Sequence, residues 1–433
     1  MAAYRKADLD RALSFIHGDD DARAVILRAR CLLRLGDAES AADALRDVLL
    51  DSRDVLARAE VNVLMASAAA RLQSPDAEDA LRDAEAAVTE ADSANLHAEL
   101  AFIRTRTAWA HGELDVAEAA AEEALAVEVD DGTSMQHLYH VRALVLELLG
   151  LIACDRERFD VAAVRFRDAL AEVDGAPTPD EWITAFATAN IAMLARDFPW
   201  TADTVFLVER MNRVRWIDPI ASRRYFCLHG LGWCYAHEGN HVGALRAFHE
   251  AADVAPSIPL RIAAWADHAN FGRELGSGVV AEESARYAAD LAGTIAWENV
   301  RDGERYALLF LAEALAPADP TLARTILKRY EDARSSTDTV GSGDANPTNV
   351  RGRAFEQRAE AVVARAEGLI PRARSLFREE YKAWHRIGSE PRAAIAAIDA
   401  YELDRDVELL NFARRAASRT PQSWIARRVA QFT

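Results

Sequence analysis

The sequence predicts an all-α protein in which helical hairpins stack into a solenoid, and three observations support this fold class. Alanine makes up much of the 51% hydrophobic fraction, which suits closely packed helices better than sheets. The stretch 228–256 reads as two amphipathic helices, separated by Gly239 and ended by Pro256. Weaker copies of this stretch recur along most of the 433 residues, so each hairpin can bury its apolar face against its neighbours.

The two helices of this stretch have complementary faces. The first presents a stripe that mixes large and small residues: Leu228, Leu231, Gly232 and Tyr235. The second presents a matching stripe: Ala244, Phe248 and Ala251. Because large residues on one helix face small residues on the other, the two helices can pack closely in an antiparallel pair.

The order of these residues resembles the tetratricopeptide repeat (TPR), a helical hairpin with a period of roughly 34 residues. The resemblance implies a right-handed superhelical solenoid of about ten TPR-like hairpins with a C-terminal capping helix. It is specific in the fourth, sixth, seventh and ninth copies and loose elsewhere, where another type of all-helical array is the alternative. The repeats also resemble the TPR arrays of bacterial regulatory and peptide-sensing proteins.

Turn signals divide the first two thirds of the chain into successive repeats. The predicted segments are an opening helix at 4–17, a first repeat at 22–53 that turns at Gly36, a second at 56–92, and a third that turns at Gly112. The fourth copy keeps the offsets of Leu149, Gly150, Ala162, Phe166 and Ala169. Asp180 then offers an N-cap to the next helix. The fifth copy is degenerate, the seventh turns at Gly276, and the eighth covers about 304–333.

The remaining residues predict a break and then a C-terminal block. Copies nine and ten follow the break, with Gly368 as a turn in the ninth. The last helix is expected to begin with Thr420 as N-cap and Pro421 at its first position, and to cap the preceding repeat with its arginines outward. The predicted domains are an N-terminal array over 1–333, a flexible loop over 334–350, and C-terminal repeats with the capping helix over 351–433.

The formal net charge of -18 argues against a general nucleic-acid-binding role. The tail is an exception, because no acidic residue follows Glu408 while five arginines do: Arg414, Arg415, Arg419, Arg427 and Arg428. A solvated terminal face is the plainer interpretation, and contact with an acidic partner or nucleic acid is the alternative. The four cysteines lack the spacing of a disulfide framework, which favours a reducing cytoplasm. No run of about eighteen apolar residues predicts a membrane span.

The first helix of each hairpin in TPR proteins lines an inner face that usually holds a partner peptide. The resemblance therefore implies candidate binding residues at inner-face positions. These are Arg106 and Trp109 in the third copy, Phe186 and Asn190 in the fifth, His229 and Trp233 in the sixth, and Asn270 and Arg273 in the seventh. An Asn carboxamide can donate to one peptide carbonyl and accept from one peptide N–H, while Arg273 could hold a carboxylate. The alternative is that these are ordinary polar residues on a solvated face.

A dense group of Cys and His residues near the sixth copy raises the question of a metal site. In the repeat register Cys227 and Cys234 pack between helices while His229 and His237 face inward, so these side chains diverge and do not make a tetrahedral zinc site. The sequence contains no Gly-rich phosphate loop, no HExxH and no GxSxG motif. We therefore expect no metal, no cofactor and no enzymatic activity.

These observations favour a cytoplasmic, non-enzymatic scaffold or adaptor that binds a protein or peptide segment in its concave groove. The alternative is a sensor or regulatory component of a bacterial transcriptional or signalling system. Because no helix-turn-helix pattern is evident, such a component would act through a partner chain. A helical enzyme with a site in the groove has no positive support in the sequence, and a homodimer is left open.

Overall fold

The computed structural model describes residues 21–51, 54–127, 135–216, 220–335, 349–421 and 423–432, together with Leu9, Ala12 and Leu13. These described residues form twenty-one α-helices and two short 3₁₀ helices, with no β-strand among them. The predicted all-α fold class is confirmed. Of the predicted opening helix only Leu9, Ala12 and Leu13 are described, and they are helical. Most of the predicted loop at 334–350 lies outside the described residues.

The chain divides into two compact units. The first comprises Met1–Arg156, Asp160–Thr188 and Asn212–Ala221. The second comprises Glu157–Phe159, Ala189–Met211 and Ser222–Thr433. These units do not coincide with the predicted boundaries at 333 and 351, so the predicted domain division stays a prediction.

The helices of the first unit follow one another as hairpins. They are α1 (Ala22–Leu35), α2 (Ala38–Asp51), α3 (Val55–Arg71), α4 (Ala77–Ala91), α5 (Ala94–Ala110), α6 (Leu114–Ala126), α7 (Met135–Asp155), most of α8 (Phe159–Gly175) and the first part of α9 (Glu181–Ala195). Helices α1, α3 and α5 each pack against the helix that follows and against the next odd-numbered helix. The first helices of successive hairpins therefore lie side by side, as the repeat pattern predicts.

The second unit continues with the end of α9 and twelve further α-helices among the described residues. They are most of α10 (Thr204–Asn212), then α11 (Arg223–Glu238), α12 (His241–Asp253), α13 (Ile258–Glu274), α14 (Gly278–Ala292), α15 (Asp302–Leu315), α16 (Pro320–Ser335), α17 (Val350–Ala366), α18 (Ile370–Arg386), α19 (Glu390–Asp404), α20 (Val407–Arg419) and α21 (Trp424–Ala430). The 3₁₀ helices are Pro199–Thr201 and Trp297–Asn299. Helix α15 packs against α17 as well as α16. The stack therefore continues past the predicted break within this one unit.

Glycines end the first helices of several hairpins at the predicted turns. Gly36 and Gly239 have φ angles of 88° and 82°, in the left-handed region that favours glycine. After Gly36 the backbone N–H of Asp37 donates to the carbonyl of Leu32 at 2.9 Å, which satisfies a group at the helix end. The other predicted turn glycines, Gly112, Gly276 and Gly368, have φ angles of 77°, 80° and 79°.

Two further glycines let paired helices approach closely. A Cβ added to Gly232 on α11 would lie 2.5 Å from Cε1 of Phe248 on α12. Gly150 on α7 faces the ring of Phe166 on α8 in the same way, and both phenylalanines are fully buried. This is the small-against-large contact that the fourth and sixth copies predict, and it makes these hairpins TPR-like.

The last helix starts later than predicted. It begins at Trp424 with Ser423 as its N-cap, and the Ser423 Oγ accepts from the N–H of Ala426 at 3.3 Å. The predicted N-cap, Thr420, instead lies in a turn whose carbonyl accepts from the N–H of Ser423 at 3.0 Å. The prediction that Thr420 and Pro421 start this helix was therefore wrong, because the serine that closes the turn also caps the helix.

One segment of α7, His137–Asp155, is long and apolar enough to cross a membrane when judged by length and composition alone. In the structure 61% of its most apolar window is buried within the protein. Its small residue Gly150 is covered by the Phe166 ring. Such burial is what the core helix of a helical stack shows.

We predict that Gly232→Ala lowers the free energy of unfolding by about 1–3 kcal/mol, because the new methyl group would overpack the contact with Phe248. Gly278→Ala is the matched control. Nothing lies within 4 Å of a Cβ at Gly278, the first residue of α14, so we expect no loss there. Urea unfolding followed by circular dichroism measures both, and equal effects of the two substitutions would contradict the packing argument.

Candidate functional site

A groove of about 470 Å³ lies in the first unit, and we name it the N-terminal groove. Its lining comes from the first helices of four successive hairpins, α1, α3, α5 and α7, and from the residue before α5. The apolar part of the lining consists of Ile26, Leu27, Leu56, Leu96, Phe102, Val141 and Leu144. A groove along successive first helices is the surface that a stack of hairpins offers to an extended ligand.

Arg30 joins three of these helices through one guanidinium. Its Nη2 donates to Oε1 of Glu60 at 2.8 Å, and its Nη1 donates to Oε1 of Glu99 at 2.6 Å. The Nε2 of His137 on α7 lies 3.3 Å from Oε2 of Glu99. Burial alone would raise the pKa of Glu99, but Arg30 and His137 hold it well below its usual range. Glu99 therefore stays ionised, and its negative charge is neutralised within the groove by Arg30.

A second ion pair fixes the start of α9. Asp180 is fully buried, and its Oδ2 accepts from Nη2 of Arg34 at 2.7 Å. Its Oδ1 accepts from the backbone N–H of Trp182 at 3.0 Å, so the predicted N-cap role of Asp180 is confirmed. The Nδ1 of His140 lies 3.9 Å from the same carboxylate. Burial lowers the pKa of His140 although Asp180 opposes the shift, so this histidine is neutral at pH 7.

Two polar groups of the groove lack partners among the described residues. Asn95 Oδ1 is buried and accepts no hydrogen bond there. Arg23 is exposed at the start of α1 and forms no ion pair within the described chain. Next to Asn95, Ser93 stands at the N-cap of α5 without a side-chain capping bond. These groups leave hydrogen-bonding capacity and one positive charge on the groove's surface.

The predicted binding residues of the third and fifth copies lie outside the N-terminal groove. Arg106 donates from Nη2 to the carbonyl of Ser67 at 3.2 Å, and burial together with Arg71 lowers its pKa to about 9. Trp109 donates from Nε1 to Oδ2 of Asp155 at 2.6 Å. Both side chains therefore link neighbouring helices of the stack. Phe186, also in the first unit, stacks on Trp182 with ring centroids 4.1 Å apart.

The sixth-copy residues of the predicted set meet at one buried carboxylate in the second unit. Asp267 on α13 lies with its Oδ2 2.8 Å from Nε2 of His229 and 3.3 Å from Nε1 of Trp233. Although burial opposes ionisation, Arg196 and His229 hold the pKa of Asp267 below its usual range. This triad fixes α11 against α13.

Asn270 and Arg273 contact the backbone of the next first helix. Asn270 Nδ2 donates to the carbonyl of Phe310 at 3.4 Å, and Arg273 Nη2 donates to the carbonyl of Ala314 at 2.7 Å. Asn270 thus performs the predicted kind of hydrogen bond, but with its own chain. Asn190 is buried and is not part of the cavity that Asn270 and Arg273 line. Whether any residue of the predicted set binds a partner stays a prediction.

The last helix packs against the first helices of the sixth and seventh copies. Helix α21 packs against α11 as well as α19 and α20, and the Trp424 ring lies 6.4 Å from that of Phe271 on α13. One apolar cluster therefore joins the sixth and seventh copies to the end of the chain: Trp233, Phe248, Phe271, Ile395, Trp424 and Ile425. The sequence predicts that the inner face of these copies lines an open concave groove. In the structure, Trp424 and Ile425 of the last helix pack against Trp233 and Phe271 of this face. A cavity of about 80 Å³ is left.

Arginines of α17 and α19 surround fully buried carboxylates in this unit. Asp197 Oδ2 accepts from Nη2 of Arg351 at 2.6 Å, and its Oδ1 accepts from Nε of Arg392 at 2.9 Å. Asp399 pairs with Arg365 and also with Arg428 of α21. The prediction that the arginines of the last helix face outward was therefore wrong for Arg428. Its guanidinium is drawn inward by Asp399, and only 8% of the residue is exposed.

Arg30, Glu99 and His137 were not predicted as site residues from the sequence, and neither were the buried carboxylates. The groove residues follow the same inner-face stripe as Arg106, since Asn95, Glu99, Phe102 and Arg106 recur at intervals of three or four on α5. Applying the inner-face rule to copies one to four would have found them. No local signal marks Asp197, because its partner Arg392 is 195 positions away. Among the described residues no group of His, Cys, Asp and Glu is arranged to hold a metal ion.

No protein-family model matches the chain, and no curated protein matches it. Eighty-four solved chains resemble its structure. The Cut9–Hcn1 hetero-tetramer of the APC/C is 14% identical with a TM-score of 0.32, covering 97% of this chain and 84% of that one. Yeast Tom70 is 14% identical with a TM-score of 0.40, covering 98% and 83%. The human IFIT1 dimer with m7Gppp-AAAA is 12% identical with a TM-score of 0.33, covering 89% and 94%.

At TM-scores of 0.32–0.40 these likenesses decide neither the function nor the partner of this chain. The TPR-like interpretation depends on the chain's own hairpins, above all on the glycine turns and the contact of Gly232 with Phe248. The resemblance to bacterial regulatory arrays stays a prediction.

Glu380 gives a test of the buried charges. Burial raises its pKa to about 8, although Arg358 lies only 3.7 Å away. The folded pKa lies above the ordinary value of 4.5, so the contribution of Glu380 to stability is fully present below pH 4.5 and is lost as the pH rises to about 8. We predict that Glu380→Gln becomes more stable relative to the wild type between pH 5 and pH 8, as measured by urea unfolding at each pH. Glu379→Gln, at the exposed neighbouring position, is the control. A constant difference over this range would refute the prediction.

Proposed function

We propose that the chain is a non-enzymatic scaffold that holds an extended peptide segment of a protein partner in the N-terminal groove. The observation that carries this proposal is that one groove of about 470 Å³ runs across the first helices of four hairpins. Arg30 joins three of these helices, because its guanidinium on α1 bonds Glu60 on α3 and Glu99 on α5. A prebuilt groove avoids part of the ordering cost of binding.

The chemistry of the groove favours a peptide that combines an apolar side chain with an acidic group. Leu27, Leu56 and Phe102 offer apolar surface, and Leu56 is 51% exposed. Arg30 and Arg34 are already neutralised by carboxylates of the same unit, so Arg23 supplies the available positive charge. The unpartnered Oδ1 of Asn95 can accept a peptide N–H.

The structure gives less support to a nucleic-acid role for the basic tail. Arg428 is buried against Asp399, and Arg419 pairs with Glu390. Arg414 donates to the carbonyl of Phe432 at 3.1 Å. A regulatory component that acts through a partner chain would use the same groove, so this alternative is a narrower form of the proposal. A cytoplasmic location belongs to the proposal as well.

The test is a random peptide library displayed on phage and selected on the whole chain, followed by fluorescence polarisation with the selected peptide. We predict that Leu56→Glu weakens binding roughly tenfold or more, because a buried leucine contributes about 1.5–3 kcal/mol. The matched control is Val116→Glu. Val116 is similarly exposed, at 56%, in the same unit but outside the groove, so binding should be unchanged.

Two outcomes would contradict the proposal. One is that no peptide is selected by the folded chain. The other is that Leu56→Glu and Val116→Glu weaken binding of the selected peptide equally, since a site in the groove must distinguish them. Because Leu56 is half exposed, its substitution is not expected to unfold the first unit.

A further inference from the structure

The cavity of about 80 Å³ in the second unit has an unusual lining. Six arginines line it: Arg196, Arg273, Arg358, Arg365, Arg392 and Arg428. The carboxylates of the lining are fewer, namely Asp267, Glu274 and Glu313. The cavity is larger than the roughly 30 Å³ that one water occupies in the liquid, and it is suited in size to a small oxyanion.

Three side chains of this lining carry a buried N–H that no acceptor in the described part of the chain satisfies. The three atoms are Nε of Arg196, Nη2 of Arg392 and Nε1 of Trp424. The lining shows no unsatisfied acceptor to balance them among the described residues. A buried donor without an acceptor costs about 1–3 kcal/mol, and more when it is charged. Three residues of one lining therefore carry donors that a ligand offering only acceptors would satisfy.

The guanidinium groups are held in place by other bonds. The Nε of Arg392 donates to Asp197 at 2.9 Å, which leaves the Nη2 of Arg392 free of that pair. Arg196 has a long contact of 3.4 Å to Asp267, and its guanidinium lies 3.8 Å from the ring centre of Phe310. Its Nε is 3.9 Å from the nearest carboxylate oxygen, on Asp197. The unsatisfied donors are therefore preorganised, because the rest of each side chain is already fixed.

Three arginines of the lining, Arg358, Arg365 and Arg428, are paired with carboxylates of the same unit. Around the unsatisfied donors the carboxylates are fewer. Asp197 forms ion pairs with Arg351 and Arg392. Asp267 lies within ion-pair distance of Arg196 and His229. Three arginines thus share two carboxylates in this part of the unit. Burial and the neighbouring Arg392 lower the pKa of Arg196, which Asp267 opposes. An added anion would relieve this repulsion between like charges.

We propose that this cavity binds a small oxyanion of the size of phosphate, with Arg196, Arg392 and Trp424 donating hydrogen bonds to its oxygens. Guanidinium groups and an indole N–H are donors only, and charge-assisted bonds of this kind are among the strongest in proteins. The oxyanion is either free in solution or one group of a larger molecule. The site lies in the second unit and does not depend on the peptide groove.

The oxyanion would connect three distant parts of the chain. Arg196 follows α9, Arg392 lies on α19, and Trp424 is the first residue of α21. Helix α21 already contacts α11 and α19. A ligand that bonds all three side chains would fix the last helix to the second unit, and occupancy should therefore raise the unfolding temperature.

The experiment uses the whole chain in a buffer without phosphate and measures the unfolding temperature and the binding isotherm with inorganic phosphate. Sodium chloride at equal ionic strength is the reference. We expect a saturable increase with phosphate that chloride does not reproduce. The same two measurements are then made with glycerol phosphate, a phosphate ester. Tighter binding of this ester assigns the site to a phosphate group of a larger molecule, and tighter binding of inorganic phosphate assigns it to the free ion.

Trp424→Phe is the decisive variant, because it removes the Nε1–H and keeps an aromatic ring in the apolar cluster. Since that N–H has no acceptor among the described residues, the variant should fold and should bind phosphate roughly tenfold more weakly. Trp265→Phe, a tryptophan of the same unit that does not line the cavity, should bind as the wild type does. Leu56→Glu should also leave phosphate binding unchanged. The proposal is overturned if phosphate acts no differently from chloride, or if Trp424→Phe binds with unchanged affinity.

Discussion

The contact between a glycine on one helix and a phenylalanine ring on the next is the constraint on which both units depend. Where Phe248 meets Gly232, no atom separates the ring from the opposite backbone. Phe166 meets Gly150 in the first unit in the same way. Close pairing of the two helices of a hairpin leaves the first helices of neighbouring hairpins free to lie side by side. The N-terminal groove exists because four such helices are adjacent.

The second unit adds a different constraint, which is the burial of charge. Moving a carboxylate out of water costs several kcal/mol, and the cost is offset only when cations and donors surround it. Asp197 meets that condition through Arg351 and Arg392, so its pKa is lowered despite burial. Glu380 has one guanidinium, 3.7 Å away on Arg358, and one indole donor, and burial raises its pKa instead. Burial, Arg358 and the neighbouring carboxylates Asp399 and Glu313 together set the pKa of Glu380.

Local features of the sequence predicted local structure well. The turns at Gly36 and Gly239 and the N-cap at Asp180 follow from backbone preferences and from one short side chain, so a few neighbouring residues suffice to predict them. The hairpin contacts are predictable because Gly232 and Phe248 are only sixteen positions apart in a recognisable pattern. The position of α21 was not predictable in this way. Its apolar side packs against the preceding repeat and also against the sixth copy, and no local pattern in the sequence indicates the second contact.

The sequence predicts a groove lined by the first helices of the hairpins, but it does not predict which hairpins form it. The repeat pattern assigns inner-face positions in every copy, and the predicted residues lie in copies three, five, six and seven, where Asn, Arg, His and aromatic side chains take those positions. In the second unit those side chains are used within the fold, as Asn270 shows by donating to the carbonyl of Phe310. In the first unit a groove along the first helices is open. In the sequence its charged residues are indistinguishable from those of an ordinary solvated surface, and only the structure shows that Arg30 bonds Glu60 and Glu99. Spacing reveals which residues share a face, but not whether the rest of the chain covers it.

Several of the arginines make contacts that suit a guanidinium better than an ammonium group. Lys6, Lys328 and Lys382 are the only lysines among 51 basic residues. Arg71 donates to the carbonyl of Leu33 at 2.7 Å, and Arg273 donates to that of Ala314 at 2.7 Å. Both carbonyls lie in the last turn of a neighbouring first helix, where carbonyls lack the i→i+4 bond of the helix interior.

A lysine ammonium is a compact charge on a flexible stem, whereas a guanidinium presents five donors in a fixed plane. One arginine can therefore join two carboxylates, as Arg30 does, or hold Asp197 with one nitrogen and keep another available, as Arg392 does. The arginine side chains that join neighbouring helices therefore can also present an unsatisfied donor beside an internal cavity.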